Sequence, residues 1–485
     1  MDIVRPEQRK IGGFCMTTEW IRKAAQVRPT ERQLTVQETG FYAFIHFTVN
    51  TFTDREWGLG DEDPSIFNPE QFDADQWVDA CASAGMKGLI LTCKHHDGFC
   101  LWPSRYTEHS VKNSPWKDGN GDIVREVADA CIRAGLKFGV YLSPWDRHEA
   151  SYGDSPKYNQ YFLNQLTELL TNYGEVFSVW FDGACGEGPN GKRQEYDWDA
   201  YYELIRKLQP NAAISVCGPD IRWCGNEAGR CRTSEWSVVP ASLRDNEKIQ
   251  EKSQQVDDGE FVKRYDSSEN DLGSRAIIQH EDEFVWYPAE VNTSIRPGWF
   301  YHDYEDDKVK SLDELLHVYY GSVGGNATFL LNLPPDRRGL IHEHDAARMK
   351  ELGDKLREIF RTNLAADASV TASESMVGFE ASNALSGDRD TYWAPEEGTE
   401  QAILEIDLGS EVTFSHVVLQ EYRYTQRIER FELECKIGDV WKPIFSGTVV
   451  GFKRICRFDP VTSRYIRMNI TESRWQPTIA AFEVY

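Results

Sequence analysis

The chain has 485 residues, 40% hydrophobic and 27% charged, with a formal net charge of −25. That length exceeds one ordinary core and points to two domains, and the apolar share excludes bulk disorder. The acidic balance disfavours a nucleic-acid partner, whose phosphates need clustered Lys and Arg, and leaves neutral small molecules and neutral glycans as ligands.

At the start, Met1-Asp2-Ile3-Val4-Arg5-Pro6 lacks the apolar stretch of a secretion signal, and no later run reaches membrane-spanning length. A cytoplasmic protein with no membrane partner is therefore expected. The segment before Phe41 reads as a helical collar. Phe41 to Phe47 reads as a first strand, and Asp73 to Ala84 as a helix with Trp77, Val78, Cys81 and Ala84 at helical spacing before Gly85. Lys87 to Thr92 is a buried strand, the helix capped by Asp122 runs to Ala134, and Lys137 to Leu142 is a third strand. A helix from about Ser155 to Tyr173 leads to a fourth strand, Val176 to Phe181. Trp198 to Leu208 is a helix stopped by Pro210, followed by a fifth strand, Ala212 to Val216. Phe284 to Tyr287 and Thr328 to Leu331 read as late strands with the helix Leu312 to Tyr320 between them, and about 240–270 reads as an inserted polar loop. Repeated βα units of this length predict a parallel sheet closed into a (β/α)8-like TIM barrel.

Arg348 to Arg361 reads as the closing helix. After Ala366 short alternating runs such as Ala402 to Asp407, Phe431 to Cys435 and Tyr465 to Ile470 predict an antiparallel β-sandwich. The expected domains are a catalytic barrel over 1–362 and a sandwich over 363–485. Eleven cysteines, several inside apolar runs (Cys81, Cys93, Cys131, Cys217), read as reduced buried thiols rather than a disulfide framework. The 15 Trp and 21 Tyr suit stacking on pyranose rings, and suit the core of a large barrel equally well.

In such a barrel the catalytic side chains project from the C-terminal ends of strands. Strand one ends near His46, strand two in Lys94-His95-His96-Asp97, strand three in Ser143-Pro144-Trp145-Asp146 and strand four in Asp182; Glu227, Glu235 and Glu290 come later. Asp182 is the sharpest candidate. It precedes Gly183-Ala184, and the next helix begins too late for it to be a cap. Adjacent His95 and His96 should point to opposite faces unless the strand has ended, so either both enter the pocket or one stays in the core. No third ligand is set for a zinc reading of that pair. Trp57 and Trp102 are candidate stacking platforms or ordinary packing, and Glu56 either takes hydroxyl hydrogen bonds or is solvated.

The runs Phe44-Ile45-His46-Phe47, Lys94-His95-His96-Asp97-Gly98-Phe99 with Trp102-Pro103-Ser104, Tyr141-Leu142-Ser143-Pro144-Trp145 and Val179-Trp180-Phe181-Asp182-Gly183 together resemble glycoside hydrolase family 29, the retaining α-L-fucosidases. The resemblance implies a double displacement with Asp182 as nucleophile, and fucose-binding positions at His46, Glu56, Trp57, His95, His96 and Tyr141. Gly225-Asn226-Glu227-Ala228-Gly229 and Trp286 to Asn292 resemble the branch acting on α-1,3/1,4-linked fucose. That points to Glu227 as acid/base, with Glu235 and Glu290 as alternatives, and to Trp299 as a substrate contact. The implied partner is a fucosylated oligosaccharide, and no metal or cofactor is implied for catalysis. The C-terminal runs Asn383 to Asp388, Leu404 to Gly409 and Ser463 to Arg467 resemble the discoidin-like (F5/8 type C) sandwich. Relatives of that module bind glycans, some with calcium, which leaves room for a structural calcium; the favoured expectation is a module that props the barrel.

Overall fold

The computed structural model describes residues 19–244 and 271–485. The strands, in chain order, are β1 (Phe41–Ile45), β2 (Gly88–Lys94), β3 (Lys137–Leu142), β4 (Ser178–Phe181), β5 (Ala213–Val216), β6 (Arg222–Trp223), β7 (Val238–Pro240), β8 (Phe284–Trp286), β9 (Ala289–Ser294) and β10 (Thr328–Asn332). Eight of them form one parallel sheet in the order β5-β4-β3-β2-β1-β10-β9-β6. A parallel bridge between Ser215 and Ile221 ties β5 to the approach of β6, so the sheet is a nearly closed barrel.

Strand parity explains its two cores. Phe41, Ala43 and Ile45 pack outward against the helices, while Tyr42 and Phe44 turn inward with Ile90, Tyr141, Trp180 and Leu330. Helices Ala74–Ser83, Ile123–Ala134, Ser155–Asn172 and Trp198–Leu208 cover the outer face. Asp73, Asp122 and Asp197 cap three of these by accepting backbone N–H bonds. The collar is two helices, Glu19–Gln26 and Glu31–Thr39, the second opened by a Thr30–Gln33 capping box.

The sequence reading departs from this fold in two places. Phe284–Trp286 is not a barrel strand but pairs antiparallel with β7 in a separate two-stranded sheet. The barrel strand is its successor, Ala289–Ser294, whose polar sequence is fully buried. Its Glu290 and Asn292 bond to other inward-facing side chains, which is why it lacks an apolar signature. The closing helix begins earlier than expected and spans Glu343–Ile359. Most of the expected 240–270 loop lies outside the described residues.

Six antiparallel strands, β11 (Ser369–Ala372), β12 (Ala402–Gln420), β13 (Ile428–Ile437), β14 (Val440–Gly447), β15 (Arg454–Ser473) and β16 (Ala481–Val484), build the C-terminal sandwich. Register shifts between Asp407/Val412 and Phe414/His416 let the long β12 and β15 bend around a core of Trp393, Leu404, Phe431, Ile466 and Met468. The sandwich is hydrogen-bonded to the barrel side. Gln426 Oε1 accepts from Ser237 N at 2.8 Å and Val238 N at 2.9 Å, and Asn326 N donates to Lys453 O at 3.0 Å.

Candidate active site

Tyr141, Trp180 and Asp182 follow one inward parity on β3 and β4, and His46 continues the inward face of β1 after Phe44. At the C-terminal mouth of the barrel these residues line a solvent-open cavity of about 980 Å³. Glu56, Trp57, His95, His96, Glu227 and Trp299 complete most of its wall. Asp182, Glu227 and the seven substrate-binding positions expected from the family resemblance thus meet at one pocket.

Asp182 is 21% exposed. Tyr141 donates its hydroxyl to Asp182 Oδ2 at 2.5 Å, Ala184 N donates to Oδ1 at 3.3 Å, and His96 Nε2 lies 3.6 Å from Oδ2. Burial pushes the Asp182 carboxyl up to about 6, against the opposing pull of the Tyr141 and Ala184 hydrogen bonds. The carboxylate is therefore ionised at neutral pH, though with little margin.

The two adjacent histidines both reach the pocket, because β2 ends at Lys94 and the chain turns there. Lys94 itself is buried beneath, bonded to Asp146 at 2.8 Å and Gln165 at 2.9 Å. His96 Nδ1 lies 2.7 Å from Ser143 Oγ, and the His95 and His96 rings pack at 4.0 Å. Burial, above all, lowers His46 to about 4 and His96 to about 3, and takes His95 well below the usual range. All three are neutral imidazoles at pH 7, each with one donor and one acceptor, a set matched to uncharged hydroxyls. For His46 the tautomer follows from its neighbours. Asn332 Nδ2 donates to the Trp299 carbonyl at 2.8 Å, so its Oδ1, 2.8 Å from His46 Nδ1, accepts and Nδ1 carries the proton.

Trp57 is 38% exposed, edge-on to His96 and Trp145, with the Arg147 guanidinium over its ring at 5.2 Å. Trp102, open between platform and packing in the sequence, is packing. It is buried in the outer core, its indole donates to Glu168 at 2.9 Å, and it does not line the pocket.

The three glutamates separate cleanly. Glu227 lines the pocket, and Trp299 Nε1 donates to its Oε2 at 3.1 Å. Glu235 is buried and held by Arg222 and Arg232, whose charges keep its carboxyl below the usual range despite burial. Glu290 lies inside the barrel, accepting from Tyr42 OH at 2.5 Å and Trp180 Nε1 at 2.8 Å; burial raises it to about 7.

Sequence reasoning missed Val216, Trp223 and Asn292 in the pocket wall. Trp223 and Asn292 sit on β6 and β9, strands too short or too polar to read, and Trp223 Nε1 donates to Asn292 Oδ1 at 2.9 Å. Val216 ends β5 with φ of 68°, a strained setting for a β-branched residue and the kind that clusters at functional sites. Among the described residues no three His, Cys, Asp or Glu side chains converge in a group suited to a metal ion.

A parallel barrel whose mouth gathers carboxylates, neutral imidazoles and an exposed indole is suited to binding a neutral sugar and cleaving its glycosidic bond. Residues 11–358 match the alpha-L-fucosidase family and residues 369–484 the F5/8 type C domain. The chain belongs to the α-L-fucosidase family, glycoside hydrolase family 29, and carries a C-terminal F5/8 type C domain. It is 43% identical to alpha-L-fucosidase 1 of Arabidopsis thaliana, over 94% of this chain and 87% of that protein. Its structure is similar to a putative alpha-L-fucosidase from Bacteroides ovatus (TM-score 0.83, 45% identity, 98% of this chain and 76% of the other). It is also similar to a Ruminococcus gnavus GH29 fucosidase in complex with fucose (TM-score 0.82, 33% identity, 95% of each chain). Its activity is that of a glycoside hydrolase on α-L-fucosides.

Proposed function

We propose that this enzyme is a retaining, exo-acting α-L-fucosidase that removes terminal α-1,3/1,4-linked fucose from Lewis-type oligosaccharides. Asp182 attacks C1 of the fucosyl residue while Glu227 gives its proton to the departing glycosidic oxygen, forming a β-linked fucosyl ester on Asp182. Glu227 then takes a proton from water, which attacks C1 from the α face, displaces the Asp182 carboxylate and releases α-L-fucose. The observation that carries this reading is that, of the three candidate glutamates, Glu227 alone shares the pocket with Asp182. The other two have their carboxylates engaged elsewhere.

His46, His95, His96 and Tyr141 supply hydrogen bonds to the ring hydroxyls, Trp57 a stacking face, and Glu56 and Trp299 further contacts. Phe44, Trp180, Val216 and Trp223 form an apolar wall in the same pocket, suited to the C6 methyl group that fucose carries in place of a hydroxymethyl. The linkage assignment is supported by the Gly225 to Gly229 and Trp286 to Asn292 runs, and by the Glu227–Trp299 contact on one side of the pocket.

Azide tests the division of labour. In Glu227→Ala the fucosyl ester still forms from an activated aryl fucoside, so azide should attack it from the α face and yield α-fucosyl azide. Glycans with unactivated leaving groups should be nearly inert to this variant. Equal loss on both substrate types, without azide product, would return the acid role to Glu235 or Glu290. Fucose release from a Lewis a or Lewis x trisaccharide, set against an α-1,2-linked fucoside and repeated in chelator, tests the linkage and the metal-free chemistry.

A further inference from the structure

The loop that carries Trp299 is tied to the barrel mouth through one carboxylate. Glu56 Oε2 accepts from Trp299 N at 2.8 Å, and Glu56 Oε1 accepts from Phe300 N at 3.1 Å and lies 2.8 Å from His302 Nε2. A carboxylate offers about four lone-pair sites, so these contacts leave Glu56 roughly one for a sugar hydroxyl. Gly298 belongs to the same knot, since a Cβ there would sit 2.6 Å from Glu56 Oε1. The other ring nitrogen of His302, Nδ1, lies 2.6 Å from Asp54 Oδ1.

We propose that His302, bridging Asp54 and Glu56, is a positioning residue that fixes the Trp299 loop and, through the Trp299 indole, the carboxyl of Glu227. The proposal rests on the reading of Glu227 as acid/base. Geometry argues that the bridge is an imidazolium. A neutral ring has a single N–H and could donate to only one of the two carboxylates, whereas both nitrogens sit at hydrogen-bond distance. The hydrogen bond to Glu56, with that to Asp54, holds the ring up to about 9 against the opposing effect of burial.

The surrounding charges favour the same state. Glu305 accepts from Gly298 N at 3.2 Å, and Tyr304 stacks on the His302 ring at 5.1 Å. Arg296, whose Nη1 lies 3.5 Å from the His302 carbonyl, is already neutralised by Asp306 and Asp345, each at 2.8 Å. Arg337 lies 3.8 Å from Asp54, and His342 3.5 Å from Asp306. When the ring loses its proton one of its two carboxylate bonds must go, and the loop loses an anchor on the Glu227 side of the pocket.

Asp54→Asn is the mildest test. Asp54 ends the helix Val49–Thr53 with φ of 58°, a left-handed conformation that Asn adopts readily, so the charge leaves while the backbone stays. Histidine 13C NMR should find His302 titrating near 9 in the wild type and lower in Asp54→Asn. The alkaline limb of kcat on an unactivated glycan should shift down with it. His302→Gln, which keeps an amide donor nitrogen but no charge, should lower kcat on that glycan by about 10–100-fold, the equivalent of one charge-assisted hydrogen bond. Turnover of an activated aryl fucoside, which needs no acid, should fall far less, while KM on both substrates reports the Glu56 and Trp299 contacts. A His302 titration near the ordinary histidine value of about 6.5 overturns the proposal, as does an equal loss on both substrate types. The two readings fail separately. If Glu227→Ala shows no leaving-group dependence, the acid/base assignment falls, while the NMR titration still decides whether the bridge exists.

Discussion

Tyr141 donates its hydroxyl to Asp182 Oδ2 across 2.5 Å, and that bond opposes the burial that drives the carboxyl toward neutrality. In the proposed mechanism Asp182 attacks only when ionised. Its carboxyl sits at about 6, so kcat/KM should fall as pH drops through about 6 and stay level above it until an alkaline group intervenes. A pH–rate profile on an aryl fucoside checks this; an acid limb near pH 4 would mean that Asp182 is not held up by burial.

Tyr141→Phe removes the bond that favours the ionised form, so the acid limb should move to higher pH. A hydrogen bond to a charged group is worth roughly 1.5–3 kcal/mol, and a loss of about 10–100-fold in kcat/KM at pH 6 is expected. The loss should shrink toward pH 9, where both enzymes are largely ionised. A pH-independent loss would instead assign Tyr141 to substrate contact alone.

Glu290 carries a separate expectation. Its folded value of about 7 exceeds the unfolded value of about 4.5, so its contribution to stability is full below about 4.5 and is lost as pH rises through about 7. Glu290→Gln is neutral throughout. Relative to it, the wild type should lose roughly 2–4 kcal/mol of stability between pH 4 and pH 8. Urea unfolding at the two pH values measures the difference. The same variant should slow good and poor leaving groups alike, in contrast to Glu227→Ala.

Much of this was legible in the sequence because inward residues at strand ends are polar exceptions within apolar runs. His46, Asp182 and the His95–His96 pair stood out for that reason. Strand β9 was not legible, since Glu290 and Asn292 turn a buried barrel strand into a polar run, and the more apolar Phe284–Trp286 drew the assignment instead. With β9 and the two-residue β6 unread, Trp223 and Asn292 had no place in the pocket. Trp102 stayed open because a tryptophan just after a strand-end motif resembles a platform, and only its burial with its partner Glu168 identifies it as packing. The Glu56–His302 bridge joins positions 246 residues apart, a pairing that no local spacing announces.

The sandwich acts on the barrel through Gln426, whose side-chain oxygen satisfies the buried amides of Ser237 and Val238. Gln426→Ala strands both. Each unsatisfied buried group costs about 1–3 kcal/mol, so a clear drop in Tm is expected by calorimetry. An unchanged Tm would mean that the two domains are thermally independent at this contact.

In the proposed mechanism Asp182 forms the covalent bond to fucose. A 2-fluoro-fucosyl fluoride, whose fluorine slows breakdown of the ester more than its formation, should inactivate the enzyme and add one fluorofucosyl mass. Peptide mapping should place that mass on the peptide containing Val179-Trp180-Phe181-Asp182-Gly183. A label on a peptide carrying Glu227, Glu235 or Glu290 instead, or turnover of the reagent with inversion at C1 and no adduct, would contradict the account.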